Sequence, residues 1–503
     1  MIALMPWAAP LLTAAEMRAV EAAWFAAGNS SFDLMQTAAA CVANSVTELA
    51  GDQPLRILVL AGPGNNGGDA LVAAHFLEGN GHQVSVVGLP PPGGWSGDAA
   101  RARELWAGPV LAPDAPWPEV DLILDGLFGT GLARPLEGAA LDLVRKANAH
   151  PALVVAIDMP SGVDADSGQI PNEAIIARRT VTFHCGKPGL FLFPGRICAG
   201  EPYIADIGIP LGKFRLWRNG PGLWQLPQPP PMGHKYARGG ALVWSGPELA
   251  TGASRLAARA ALRAGAGAVM LVGPAPALRV HAAQVTAIML HEGDAQAFAR
   301  LLGEGRWRAA CIGPGAGEGV RCVAGAALES GKAVVLDADA LTAFAGEADH
   351  LVRLVGRHER PVVLTPHEGE FARLFPDIRG SKLERAMAAA QQTGAVMVLK
   401  GPDTVIASPE GPALINANAP KYLATAGSGD VLAGFVTALL AQGMDGFDAA
   451  AGAVWLHGAT ACRIGPGLTA EDLLALEPFR AAFLEGIGQK AAHDDAAEGP
   501  GSG

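Results

Sequence analysis

The sequence predicts an α/β protein in two parts, each built on a mostly parallel sheet. Three observations carry this. Short continuous apolar runs alternate with amphipathic stretches along most of the chain, the pattern of strands buried between helices on both faces. The alternation breaks once, where Pro221, Pro227 and the run Pro229-Pro230-Pro231 fall, and then resumes. A glycine-rich loop ending in aspartate stands on either side of that break, at 62–69 and at 427–430. At 503 residues the chain also exceeds what one core ordinarily organises.

The elements follow in order. Residues 11–50 read as leading helices, with Met17, Val20 and Trp24 at helical spacing. Strands are expected at 57–61, 84–87, 122–125, 154–157 and 180–183, with helices such as 69–78 and 136–147 between them. Residues 216–231 read as a proline-rich linker. Further strands are expected at 241–244, 269–272, 309–312, 334–337, 362–365 and 396–399, and then a helical pair at 429–442 and 447–464. The end, with Asp494, Asp495 and Glu498 among small residues, is expected to be a disordered tail. The expected division is therefore 1–215, a linker at 216–231, a second domain at 232–488 and a tail at 489–503.

Half the residues are apolar and 17% are charged, the composition of a globular chain with ample core. A net charge of −11 with no lysine or arginine run argues against a nucleic-acid surface. No apolar run reaches membrane-spanning length without a charge or a Gly/Pro break, and no membrane partner is expected. The first basic residue is Arg18, so the charged opening of a signal peptide is missing. Cys41, Cys185, Cys198, Cys311, Cys322 and Cys462 are scattered without a CxxC pair and read as free thiols of a cytoplasmic protein.

In the first half, Gly62-Pro63-Gly64-Asn65-Asn66-Gly67-Gly68-Asp69 follows a strand and opens a helix. There, backbone amides and the helix terminus favour an anion. Two more strands end in polar loops, Asp125-Gly126-Leu127-Phe128-Gly129-Thr130-Gly131-Leu132-Ala133-Arg134-Pro135 and Asp158-Met159-Pro160-Ser161-Gly162-Val163-Asp164. Each loop alone reads equally as helix capping, but together they should converge on one crevice at the strand carboxyl ends. Asn66, Asp125 and Ser161 then form a set of neutral oxygens with one carboxylate, which suits a hard, weakly charged cation better than zinc.

These segments, with Phe183-His184-Cys185-Gly186-Lys187-Pro188-Gly189 after them, resemble the epimerase domain of NAD(P)H-hydrate repair enzymes. The resemblance implies a Rossmann-like three-layer fold and interconversion of R and S hydrates of NADH and NADPH. By motif position it puts Asn65, Asn66, Gly67, Gly68, Asp69, Gly129, Thr130, Gly131, Leu132, Ala133, Arg134, Pro135 and Asp158 on the hydrate. It puts Asn66, Asp125 and Ser161 on a potassium ion, and makes Asp158 the acid–base candidate for exchange at C6. The chain departs from the family pattern at Ala70, where a glycine is usual, and at Met35-Gln36-Thr37-Ala38-Ala39.

In the second half, Gly427-Ser428-Gly429-Asp430 opens an apolar helix, so its amides can hold an anion beside a possible base. Other polar strand ends accompany it: Ile312-Gly313-Pro314-Gly315, Asp337-Ala338-Asp339, Thr365-Pro366-His367-Glu368 and Leu399-Lys400-Gly401-Pro402-Asp403-Thr404. With Gly252-Ala253, they resemble the dehydratase domain of the same enzymes, a ribokinase-like fold. The resemblance implies ADP-dependent dehydration of the S hydrate, with magnesium and with ATP as the other nucleotide. Ala253, Gly315, His367 and Asp430 would meet the hydrate, with Asp430 as catalytic base. Lys400, Gly401, Pro402, Asp403, Thr404, Gly427, Ser428 and Gly429 would meet the nucleotide. Ser428 keeps the hydroxyl of the threonine commonly found there. The expected partners are these small molecules, and the assembly a homo-oligomer. The alternative is a ribokinase-like vitamin or sugar kinase with a fused nucleotide-binding domain.

Overall fold

The computed structural model describes residues 8–51, 53–132, 134–228, 232–357 and 359–497, with 489–497 as backbone only. The chain forms two compact units, Met1–Leu216 and Trp217–Gly503.

The first unit is a seven-stranded parallel sheet. Its spatial order is Val110–Leu111, Gln83–Gly88, Arg56–Ala61, Leu122–Gly126, Leu153–Ile157, Arg179–Phe183 and Glu201–Ala205. Alternate strand residues go to opposite faces. Ile57, Val59 and Leu124 pack with Val42 and Leu71 of helices Ser31–Ala50 and Asn65–Gly79. Leu58, Leu60 and Ile123 pack with Leu143 and Val144 of helix Gly138–Ala149. That gives three layers, a Rossmann-like α/β arrangement. Thr13 and Ser30 cap the two leading helices by accepting from the amides of Glu16 and Asp33. Ala61 is in register with Gly126, and Asp125 with Ala156, so three strands end at one level and their loops meet.

The second unit carries a larger, mostly parallel α/β sheet. Its strands run in the order Ala413–Ile415, Val405–Ala407, Val396–Leu399, Val362–Leu364, Ala333–Leu336, Trp307–Ile312, Gly240–Trp244, Ala268–Gly273 and Met289–Glu292. From Val396–Leu399 onward the neighbours are parallel, whereas the two strands before it are antiparallel. Ala241, Val243, Val335 and Val398 pack against helices Thr251–Arg263, Ser428–Ala441 and Gly446–Ile464. The last two helices are apolar nearly all round because they are buried from several sides.

Two expectations need correction. The segment read as a linker contributes to the core. Leu216–Arg218 is a strand, and the Asn219 amide donates to the Ile415 carbonyl. Trp224 and Leu226 are buried, and the Trp224 ring lies 5.7 Å from that of Trp455. The prolines hid this because they erase periodicity without removing the apolar side chains between them; Pro229, Pro230 and Pro231 lie outside the described residues. In place of a tail from residue 489, the backbone continues as helix Leu476–Ala497; 498–503 lie outside the described residues.

Candidate active sites

The first site begins with glycines that allow two backbones to touch. A Cβ on Gly62 would fall 1.7 Å from the Leu127 carbonyl oxygen, and one on Gly67 would fall 2.0 Å from that of Gly62. Trp95 closes over the loop, donating its indole N–H to the Gly62 carbonyl. The two departures from the family pattern fit locally. Ala70 is buried where Gly126 has no side chain, and Met35 packs over Gly68.

Asp125 is fully buried and holds the Leu122–Gly126 and Leu153–Ile157 strand ends together. Its Oδ1 accepts from the Ser161 hydroxyl at 2.7 Å and the Leu127 amide at 3.2 Å, and its Oδ2 accepts from the Ser161 amide at 2.8 Å. Burial outweighs these bonds and lifts its carboxyl to about 6. Asn66 stands one residue inside its helix, and its buried Nδ2 has no hydrogen-bond partner among the described residues.

Asp158 sits at φ +63, a left-handed conformation in a residue with a side chain. Its Oδ1 lies 2.7 Å from Lys187 Nζ and accepts from the Thr182 hydroxyl, while Oδ2 accepts from the Thr130 amide. A Cβ on Gly129 would fall 2.9 Å from Asp158 Oδ2 and 3.1 Å from Asn66 Oδ1. The structure thus brings Asn66, Gly129, Thr130 and Asp158 to one point. Gly67 and Gly68 are buried, Asp69 and Leu132 half-buried. Asn65, Gly131, Arg134 and Pro135 are exposed, and Ala133 lies outside the described residues. Burial, with Asp158 and Glu21 nearby, holds the Asp69 carboxyl well above the usual range. Burial also raises Glu21, on helix Ala14–Ala26. Glu21 and Thr182 were not signalled by the sequence, because neither belongs to a strand-end loop.

In the second unit Asp430 lies in the first turn of helix Ser428–Ala441, whose N-cap Gly427 has φ +86. Burial first, then Asp337, lifts Asp430 to about 7, against the opposing pull of Lys400. Lys400 Nζ is 2.5 Å from Asp337 Oδ1 and 3.9 Å from Glu370 Oε2. A cleft of about 570 Å³ opens beside this group, lined by His367, Lys400, Gly401, Pro402, Thr404, Ser428 and Gly429 among others. Six of the eight expected nucleotide residues and His367 therefore share one cavity. Asp403 is bonded to Lys382 at 2.5 Å, and Gly427 forms the helix start.

Of the residues expected to meet the hydrate, Ala253 and Gly315 are neighbours, a Cβ on Gly315 falling 3.2 Å from that of Ala253. His367 also caps helix Glu368–Leu374, its Nδ1 accepting from the Gly369 and Glu370 amides. His457 lines the cleft from the buried helix Gly446–Ile464 and was missed in the sequence, where it sits inside an unbroken apolar helix. Burial holds it neutral, near 4, and its Nε2 has no partner among the described residues.

Comparisons with known proteins cover both units. A family model described as NAD(P)H-hydrate dehydratase matches residues 241–475, and one described as YjeF-related protein N-terminus matches 31–189. The chain is 37% identical to the bifunctional NAD(P)H-hydrate repair enzyme of Gloeobacter violaceus, over 94% of this chain and 98% of that one. It is 34% identical to the protein of the same name from Escherichia coli K12, over 84% of this chain and 83% of that one. Among solved structures it is similar to the ADP/ATP-dependent NAD(P)H-hydrate dehydratase of Bacillus subtilis co-crystallised with ATP and Mg2+. That match has 30% identity and a TM-score of 0.45, over 54% of this chain and 94% of that one.

Proposed function

This chain belongs to the bifunctional NAD(P)H-hydrate repair enzymes, and from that premise we propose how its two units divide the work. The enzyme epimerises the R and S hydrates of NADH and NADPH, and dehydrates the S hydrate at the expense of a nucleotide. Epimerisation exchanges the hydroxyl at C6. The ring nitrogen lone pair expels the hydroxyl, which leaves as water once protonated. A water then adds to the opposite face and gives up a proton. Asp158, turned toward Gly129 and Thr130, is placed to take that proton, since its Oδ2 has a single amide donor. Asn66, Thr130 and the glycine loop orient the substrate.

Asn66, Asp125 and Ser161 are suited to a potassium ion. All offer oxygens, and Asp125 is a buried carboxylate without a cationic partner among the described residues. When bound, such an ion supplies positive charge to a pocket that already holds Glu21, Asp69 and Asp158.

Dehydration runs through phosphorylation. Asp430 takes the proton of the C6 hydroxyl, whose oxygen attacks the terminal phosphoryl of the nucleotide and displaces AMP from ADP, or ADP from ATP. The phosphate then leaves C6 as the nitrogen lone pair pushes in, and loss of a C5 proton restores the dihydropyridine. The amides of Gly427 and Gly429 at the helix start suit the charge that develops on the phosphoryl group, while the Ser428 amide is donated to the Thr425 carbonyl, and Lys400 adds a positive charge beside Gly429. No cluster of three or more acidic, His or Cys side chains among the described residues forms a metal cage, which suits magnesium arriving with the nucleotide phosphates. ADP is the expected nucleotide, and the cytoplasm, where such nucleotides and free thiols coexist, the expected compartment. A homo-oligomer is part of the same reading.

The observation that carries the reading is the Asp337–Lys400 pair beneath the glycine turn that presents Asp430, opening on a cleft lined by the nucleotide motif. A vitamin or sugar kinase would share that turn but has no use for an attached hydrate epimerase. The test is to incubate the purified chain with mixed-epimer hydrate and either ADP or ATP, and to follow reduced-nicotinamide absorbance. Full recovery with ADP supports the reading. No recovery with either nucleotide refutes it.

A further inference from the structure

We propose that Lys187, with Thr182, is the positioning residue of the epimerase site: it clamps one oxygen of Asp158, so that the other faces the substrate. The role rests on the epimerase reading of the first unit.

Lys187 is among the largest fully buried side chains of the protein, at 1% exposure. A buried ammonium is costly unless its donors are satisfied and its charge is paired. Here all are engaged. Nζ lies 2.7 Å from Asp158 Oδ1, 2.8 Å from Thr182 Oγ1 and 3.1 Å from the Phe183 carbonyl, three acceptors for three N–H groups. Among the described residues Asp158 is its one acidic partner within 4 Å. Thr182 accepts from Lys187 and donates its own hydroxyl to the same Oδ1.

The pair is asymmetric. The lysine side chain is 1% exposed and that of Asp158 12%, so the charge is sealed in while the acid opens outward. Oδ2 carries the single Thr130 amide and faces the space over Gly129 that it shares with Asn66 Oδ1. The backbone of Asp158 is held in its left-handed conformation by a 2.7 Å bond from its amide to the Val181 carbonyl. Strain of that kind persists where the surroundings overdetermine it, and functional sites are where it gathers.

The pocket is acidic: Glu21 and Asp69, from two helices, are both held above the usual carboxylate range, by burial first and then by the nearby Asp158. Lys187 is the cation opposing them. His184, buried beside Lys187, is held below its usual pKa by burial and by that lysine, and adds no charge at neutral pH. The positive charge in this acidic pocket is therefore fixed at the inner oxygen of Asp158.

The test measures loss of the R epimer by chromatography with no nucleotide present, which silences the second unit, across a range of pH. In Lys187→Met the acid limb of kcat/KM should move up by about one pH unit or more, with kcat at neutral pH down about tenfold or more and KM changed less than about threefold. Lys187→Arg, which keeps the charge, should stay close to the native limb. Thr182→Val should move the limb the same way by less. A limb unmoved in both Lys187→Met and Thr182→Val overturns the proposal, however far kcat falls. Should thermal melting show that Lys187→Met does not fold, Thr182→Val and Lys187→Arg decide alone. Native protein that leaves the R epimer untouched at every pH instead refutes the epimerase reading on which the role rests.

Discussion

Lys400 Nζ lies 2.5 Å from Asp337 Oδ1, although the strand Val362–Leu364 separates the strands that deliver them. The pair stands under the first turn of the Asp430 helix, where a Cβ on Gly429 would fall 3.4 Å from that ammonium and 3.9 Å from Asp337 Oδ2. Asp337 pushes the Asp430 carboxyl up and Lys400 pulls it down, and burial adds to the former, leaving it at about 7. A base that must be ionised to act should therefore give a dehydration rate with an acid limb near neutrality.

Asp337→Asn removes the negative neighbour and frees Lys400 toward Asp430. Both effects lower the Asp430 pKa, so the acid limb of kcat/KM for dehydration should move to lower pH. A pH profile of the variant checks this. A limb that stays put, or moves up, contradicts the assignment.

Asp430→Asn should abolish dehydration and spare nucleotide binding. The amide preserves shape at the helix start but cannot take the hydroxyl proton. A loss on the order of 10²–10⁴-fold in kcat is expected, with nucleotide affinity by calorimetry little changed. Near-native turnover would leave Asp430 as a helix-terminal residue and nothing more.

Asp125 connects the first site to stability. Its carboxyl is lifted from the ordinary 3.8 to about 6 in the folded chain, so the protonated form is the one folding favours. Its ionisation then opposes folding progressively as pH rises through that window, and a bound cation offsets the cost. Potassium should raise the melting temperature of the first unit more at pH 7.5 than at pH 4.5, and Asp125→Asn should remove the difference. Equal potassium response in that variant would argue against Asp125 as a ligand.

Trp224 tests the correction made to the linker. It is 1% exposed, packs against Trp455 and donates its indole N–H to Asn219 Oδ1 at 3.0 Å. Trp224→Ala should cost roughly 3–5 kcal/mol in denaturant unfolding of the second unit. A change below about 1 kcal/mol, the range of surface substitutions, would return the segment to a linker.

Much of this was legible in the sequence because both sites are made of strand-end loops, and apolar runs ending in Gly, Asp, Ser or Asn announce themselves locally. The Asp125–Ser161 bond joins two such loops, as does the contact of Gly129 with Asp158. What was not legible lies off the loops. Glu21 reaches its site from a leading helix, and Lys382 meets Asp403 from a surface helix across 21 positions of sequence. His457 looks like one polar residue in a buried helix until the fold puts it against a cleft. The edge strands Glu201–Ala205 and Met289–Glu292 escaped because their polar residues break the apolar run that marks a central strand.

The most direct test of two independent sites in one chain is complementation between two disabled variants. Asp158→Ala and Asp430→Asn are each incubated with mixed-epimer hydrate and ADP, separately and together, and the recovery of reduced nicotinamide is followed to its end. The account predicts that Asp158→Ala converts the S fraction quickly and then stalls at the pace of spontaneous epimerisation. Asp430→Asn recovers almost nothing, and the mixture runs to completion at a rate set by both. A mixture that stalls where Asp158→Ala alone stalls would contradict it.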